Sequence, residues 1–525
     1  MENSQTSKRC LSIDGNSLTI DQLTQVARCY LQVSLADSAR RQVHECEIRL
    51  RELASLEKPI YGVNTGLGIF ANRRIKSSQS IQLSRNLILS HAVGIGEPFP
   101  EDVVRAAILI RVNTFAKGHS GVRPELIELL LEMLNRRLTP HIPNQGSLGS
   151  SGDLAPLSHL ALVLSQDPIS NDEASSGKAW FKGQLMSGKE AMNAAGLSPL
   201  ILHSKEGLAI INGAAFAAAL LALACNDTLN LLRIAEIGAS LSMEALLAVS
   251  NAFDPRLHEV RSHLGQIAVA ERIRKLLRSS TLIDSTERVQ DAYSIRCTPQ
   301  VIGPAWDILS FVQSTALREI NAATDNPLFF GLDAISGGNF HGEPIGLAAD
   351  YLKIALAEVG AISERRIYRL IDEHMNEGLP PMLIMKHENV GLQSGLMMLQ
   401  YSAASLVLEN QALASPASVL SLPTSAGQED HNANATMAAR FLSKVIENIY
   451  HILAIELLTS AQAIDLRIQD KPEIKLGMGT NVAFQWIRST FPFREDDFPL
   501  SEDVMNMVEL LKKQELINLV NLSLN

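Results

Sequence analysis

Residues 207–225, GLAIINGAAFAAALLALAC, form an unbroken run in which every residue is apolar or glycine except Asn212. Such a run offers water no polar stripe, so its place is either a bilayer or the centre of a large core. Asn212 lies inside it, Lys205 and Glu206 stand just before it, and no second run of that quality exists. A polar amide among lipid tails is costly, so the core is the better home and a membrane span is not expected. The reading predicts one central helix, buried on all sides. A core of that size needs a long and apolar chain, which 525 residues with 46% hydrophobic and 19% charged content supply.

Around this run the helical period dominates. Val103, Ala106, Ala107 and Ile110, then Leu126, Leu129, Leu130, Met133 and Leu134, repeat at three- and four-residue spacing, whereas strand-like alternation is sparse. Four Gly-rich or polar islands interrupt the pattern: YGVNTGLG at 61–68, NQGSLGSSGDLAPL at 144–157, ISGGNFHGEPIG at 335–346 and SLPTSAGQEDHNAN at 421–434. These are read as loops, where chemistry tends to sit on a helical scaffold. Long helices are predicted over 347–372 and 437–467. The expected fold is mainly α, with a smaller N-terminal domain over 1–200 carrying the first two loops and a long-helix bundle over 201–525, the division falling where Pro199 precedes the apolar run.

The formal net charge of −10 argues against a nucleic-acid surface and favours a small-molecule substrate. Cys10, Cys29, Cys46, Cys225 and Cys297 are odd in number and form no C-x-x-C pair, which suits a reducing compartment and argues against a structural zinc site; no metal is expected. The first twenty residues lack an apolar segment after a basic start, so the protein is expected in the cytoplasm.

The loop at 144–157 contains a sequence capable of making an electrophile. In Ser150-Ser151-Gly152, a tight bend would let the Gly152 nitrogen attack the Ser150 carbonyl carbon, an approach that a side chain at 152 would obstruct. Loss of water closes a five-membered ring, and loss of a second water from Ser151 leaves a conjugated exocyclic methylene. An ordinary Ser/Gly turn is the alternative.

The flanking residues resemble the histidine and phenylalanine ammonia-lyases and their aminomutase relatives. The family motif Ala-Ser-Gly-Asp-Leu-x-Pro-Leu is kept in Ser151, Gly152, Asp153, Leu154, Pro156 and Leu157, with Ser150 where alanine is commonest. Further matches are NLILSHAVGIG at 86–96, KEGLAIING at 205–213, VQDAYSIRCTPQVIGP at 289–304, ATDNPLF at 323–329, SGGNFHGEP at 336–344, SERRI at 363–367, LPTSAGQEDH at 422–431 and AQAIDLR at 461–467, so the resemblance spans nearly the whole chain. It implies a fold of the fumarase/aspartase-like superfamily and a self-formed 4-methylidene-imidazol-5-one from Ser150, Ser151 and Gly152, with no external cofactor. It also implies a homotetramer whose active sites are shared between subunits.

The resemblance also implies roles. The electrophile activates the amine for departure while a base removes the β-proton. Tyr61 matches the catalytic tyrosine, and Tyr293 a second tyrosine near the amine, with Gln290 lining the same site. Arg296 would hold the substrate carboxylate in its planar fork, assisted by Asn326. Asn212 would either satisfy backbone groups or bond the ring, and Phe340 matches an aromatic packed on the reactive loop. Ser90-His91 and Glu429 resemble the histidine-lyase pattern, because His91 and a carboxylate suit an imidazole better than a benzyl group. Gly427, Ala292 and Thr298 depart from the usual residues at their positions. The expected reaction is L-histidine to urocanate plus ammonia, with a tyrosine ammonia-lyase or aromatic 2,3-aminomutase as the alternative enzyme, and a catalytically silent amino-acid-binding paralogue as the alternative without chemistry.

Overall fold

The computed structural model describes residues 10–55, 58–167, 173–469 and 471–524. The first nine residues, on which part of the reading of the N-terminus rests, lie outside the described residues. The fold is mainly α, as the periodicity predicts, and the strands among the described residues are only two to four residues long.

The helices that carry the argument are α1 (Ser80–His91), α2 (Glu101–Ala116), α3 (Leu154–Leu164), α4 (Glu206–Ile211), α5 (Ala215–Ala245), α6 (Tyr293–Arg296), α7 (Thr298–Ile320), α8 (Glu343–Ile371) and α9 (Ala435–Ile468). The last two match the helices expected over 347–372 and 437–467 with modest extension at their starts. The segment 154–157, read as loop, is instead the first turn of α3.

The apolar run is not one helix. Asn212 is extended (φ −94°, ψ 121°) and Gly213 has φ +123°, a conformation that side chains rarely adopt, so the run divides into α4 and α5. The break has a cause, because Gly213 pairs with another backbone segment described below. The expectation of burial holds: α5 is long and apolar enough to cross a membrane, yet 83% of its most apolar window is buried inside the protein.

By contact density the chain groups into two compact units. The first comprises Met1–Asn226, Val312–Asp350 and Pro416–Arg440; the second comprises Asp227–Phe311, Tyr351–Ser415 and Phe441–Asn525. This grouping follows a different line from the single division expected at 200, because two later segments return to the first unit. In the first unit α2 is buried from Val103 to Ala116, with Glu101 and Asp102 at its start complementing the helix dipole. In the second unit the buried Glu456 of α9 accepts from Arg366 Nη2 of α8 at 3.0 Å and from Ser242 Oγ of α5 at 2.9 Å. Arg366 and Glu456 are both fully buried, so each supplies the charge that the other would otherwise lack.

Candidate active site

The Ser150-Ser151-Gly152 tripeptide sits in a backbone clamp. Gly152 and Gly213 form a parallel bridge; the Gly213 N–H donates to the Ser151 carbonyl at 3.3 Å and the Asp153 N–H to the Gly213 carbonyl at 3.0 Å. Gly152 has φ +78°, and a Cβ there would lie 2.1 Å from the Gly213 carbonyl carbon. Neither backbone has room to yield, so only glycine fits. On the other side, Asn434 and Gly342 donate to the carbonyls of Leu148 and Gly149 at 2.7 and 3.0 Å.

Asp153, fully buried, anchors the end of this loop. Its Oδ2 accepts the N–H groups of Phe216 and Ala217 at 2.7 and 3.1 Å, satisfying two of the unpaired donors at the start of α5. Its Oδ1 accepts from Ser147 Oγ at 2.8 Å and from Thr436 Oγ1. Burial pushes its carboxyl above the usual range while these four donors pull the other way.

The two serine hydroxyls converge on one acid. Ser150 Oγ donates to Glu429 Oε2 at 3.0 Å and Ser151 Oγ to Oε1 at 2.8 Å, and Thr424 Oγ1 adds a longer contact of 3.3 Å to Oε2. His91, at the end of α1, lies within electrostatic reach of Glu429. Its Nδ1 is 2.8 Å from the Leu87 carbonyl, which can only accept, so Nδ1 carries a proton and Nε2 is the acceptor of the neutral ring. Burial holds its pKa below the ordinary value, with the Leu87 bond and the Glu429 charge acting against that shift. Tyr61 is half-buried, and its phenol oxygen accepts the Gly68 N–H at 3.1 Å. Phe340 is half-buried on the turn whose Gly342 N–H holds the tripeptide loop.

Beside the clamp lies a buried charged cluster. Lys205 Nζ is 2.7 Å from Asp325 Oδ2, and both side chains are fully buried. Asn212 Nδ2 donates to Asp325 Oδ1 at 3.4 Å and to the Asn326 carbonyl at 3.3 Å, so its amide is paired within the protein. Asn326 Oδ1 accepts from Ser336 Oγ and the Gly337 N–H at 3.1 and 2.7 Å, which fixes the orientation of its amide. Arg111, wholly buried in α2, donates to the Ala209 carbonyl and to Thr324 Oγ1 at 2.5 and 3.3 Å; burial depresses its pKa to about 10.

Tyr293, Gln290 and Arg296 form a group of their own in the second unit. Arg296 Nη1 donates to Gln290 Oε1 at 2.9 Å, and its guanidinium lies 4.7 Å from the Tyr293 ring centroid. Tyr293 is 70% exposed, while Arg296 Nε is buried without a hydrogen-bond partner among the described residues.

Thus Ser150, Ser151, Gly152, His91, Asn212, Asn326, Glu429, Tyr61 and Phe340 all belong to the first unit, and the remaining three expected residues to the second. Sequence reasoning assigned no role to Asp153, Lys205 or Asp325, although all three stand inside motifs it singled out. Arg111 also left a signal, as a charge in the middle of an otherwise apolar helical stretch.

Comparison with known proteins adds three observations. The aromatic amino acid lyase family profile matches residues 18–489. A histidine ammonia-lyase of Treponema denticola is 45% identical over 513 residues, covering 97% of this chain and 98% of its own. Among solved structures, the histidine ammonia-lyase of Trypanosoma cruzi superimposes with a TM-score of 0.88 at 36% identity over 98% of this chain and 96% of its own, and the tyrosine aminomutase of Streptomyces globisporus with 0.90 at 33% identity over 98% of each.

Proposed function

Because this chain belongs to the aromatic amino acid lyase family and is a carbon–nitrogen lyase, we propose that it converts L-histidine to urocanate and ammonia. Its fold is that of the fumarase/aspartase-like superfamily. The observation that carries the substrate assignment is the proximity of Glu429 to His91. A benzyl ring entering between two acceptors, the Glu429 carboxylate and the free Nε2 of His91, would strip water from both and return no hydrogen bond, and a phenol at most one, whereas a protonated imidazole carries an N–H on each ring nitrogen and can donate to both. The similarity to histidine ammonia-lyases over nearly the full length supports the same choice.

The residues present fit the self-formed 4-methylidene-imidazol-5-one. Gly152 occupies a cradle that a Cβ would fill, its nitrogen follows a bend held from both sides, and the Ser151 hydroxyl to be eliminated already has an acceptor in Glu429. Once formed, the ring supplies an electrophile for the substrate amino nitrogen, a task that no ordinary side chain performs. Tyr61, held at its oxygen by the Gly68 N–H, takes the β-proton. Arg296 receives the substrate carboxylate through its planar fork, for which its unpartnered buried Nε is suited, and Asn326 contributes from its fixed amide. Gln290 and Tyr293 accompany Arg296. Asn212 and Phe340 support the ring and its loop. No metal, nucleotide or external cofactor enters this scheme.

The assembly that best suits these parts is a cytoplasmic homotetramer in which Tyr293, Gln290 and Arg296 of one subunit complete the site of another; the exposure of Tyr293 supports it. Size-exclusion chromatography with activity measured across the peak is expected to find turnover in the tetramer and none in a monomer fraction.

Two experiments test the function. Intact mass of the purified protein is expected to fall short of the encoded mass by two waters; the full encoded mass would overturn the enzyme reading in favour of a silent amino-acid-binding paralogue. Incubation with histidine is expected to yield urocanate. Coumarate from tyrosine without urocanate would make it a tyrosine ammonia-lyase, and a β-amino acid an aromatic 2,3-aminomutase. His91→Leu is expected to lower kcat/KM for histidine by roughly ten- to a hundredfold, the cost of leaving a polar partner unsatisfied. Tyrosine and phenylalanine use should not fall in parallel; equal losses on all three would assign His91 to packing alone.

A further inference from the structure

Glu429 is gripped by two hydroxyls, one on each carboxylate oxygen, and the condensation proposed above treats them unequally. Ring closure joins the Gly152 nitrogen to the Ser150 carbonyl carbon and expels that carbonyl's oxygen as water, together with the amide protons of Ser151 and Gly152. The second elimination expels Ser151 Oγ as water with the Ser151 Cα proton. Neither step consumes the Ser150 side chain.

We infer that the Ser150 hydroxyl, retained beside the finished ring, is a positioning residue that keeps Glu429 turned towards the substrate after its Ser151 partner has been eliminated. The inference rests on the proposed reading of the site and deepens it. With alanine at 150, the remaining hydroxyl contact to Glu429 would be that of Thr424 at 3.3 Å, from the same loop and only to Oε2. A carboxylate so loosely held would swing between rotamers, whereas the Ser150 bond runs to a backbone clamped on both sides by Gly213 and Gly342.

The titratable groups around Glu429 are few. His91 faces it from α1, and Tyr61 approaches through Gly68, whose neighbour across the gap is Ser425 of the Glu429 loop. On that loop stand Asp430 and His431, the latter stacked on His341 at 5.9 Å between centroids. Among the described residues no Lys or Arg forms an ion pair with Glu429, so hydroxyl donors are the main support of its side chain.

The test compares the wild-type enzyme with Ser150→Ala and Ser150→Thr, using histidine as substrate and intact mass as a control for ring formation. Ser150→Ala is expected to lose two waters as the wild type does, and to raise KM about tenfold with kcat changed much less, since the lost contact serves binding and orientation. Ser150→Thr, which keeps the hydroxyl, should restore the wild-type KM. An unchanged KM in Ser150→Ala would overturn the inference, as would loss of three waters from the wild type, since the hydroxyl would then be gone. Full encoded mass in the wild type would instead overturn the proposed function on which the inference stands.

Discussion

Ser151→Ala should give a folded protein of near-native stability that releases no measurable urocanate. Alanine keeps the backbone bend and the Gly152–Gly213 pairing, and the hydroxyl it removes is one of three that reach Glu429. The folded state therefore loses about one hydrogen bond, roughly 1 kcal/mol or somewhat more for a bond to a charged group. Chemistry loses far more. Without Oγ there is nothing for the second elimination to expel, so the methylene cannot form and kcat is expected to fall by roughly a thousandfold or more, the scale on which removal of a covalent catalyst acts. Thermal melting, intact mass and urocanate formation measured on one preparation check the three parts. Turnover within tenfold of wild type would show that the amine is activated by some other group.

Asp325→Ala should do the opposite, breaking the fold around a site whose reacting atoms it does not contain. The mutation leaves the Lys205 ammonium fully buried with, among the described residues, only the Asn326 carbonyl as a partner, and it takes from Asn212 one of its two acceptors. Stranding one member of a buried ion pair typically costs about 3–5 kcal/mol, a large share of the stability of an ordinary domain. Denaturant titration monitored by circular dichroism should show the loss. Replacing both charges together, as Lys205→Met with Asp325→Leu, should recover most of it, because a well-packed apolar pair often matches a buried ionic one. A cost below about 1 kcal/mol for Asp325→Ala would mean that Lys205 finds water or another acid.

The contrast between these two positions mirrors what the sequence made legible. Ser151 was visible because its chemistry is local: three adjacent residues, a glycine without a Cβ, and a motif on either side. Glu429 and His91 were visible as residue types suited to an imidazole, but their convergence was not, since it joins the end of α1 to a loop more than three hundred positions later. Lys205 and Asp325 are 120 positions apart, and nothing in either segment announces that a buried cation awaits a particular carboxylate. The break at Asn212 was hidden for a similar reason. Composition and period across 207–225 favour a continuous helix, and the competing force is the pairing of Gly213 with Gly152, which belongs to tertiary structure. The long helices α8 and α9 were legible because their apolar periodicity persists over many turns and needs no distant partner to be read.

The way the reactive loop is held also bears on when the enzyme comes to life. Its clamp is assembled from Gly213, Gly342, Asn434 and Thr436, so the bend around Ser151 is complete only when chain far downstream has docked. A ribosome-bound fragment ending before α9 would carry every atom of the tripeptide but lack part of the vice that bends it. The ring closure proposed above would therefore wait until that downstream chain has been made and has docked.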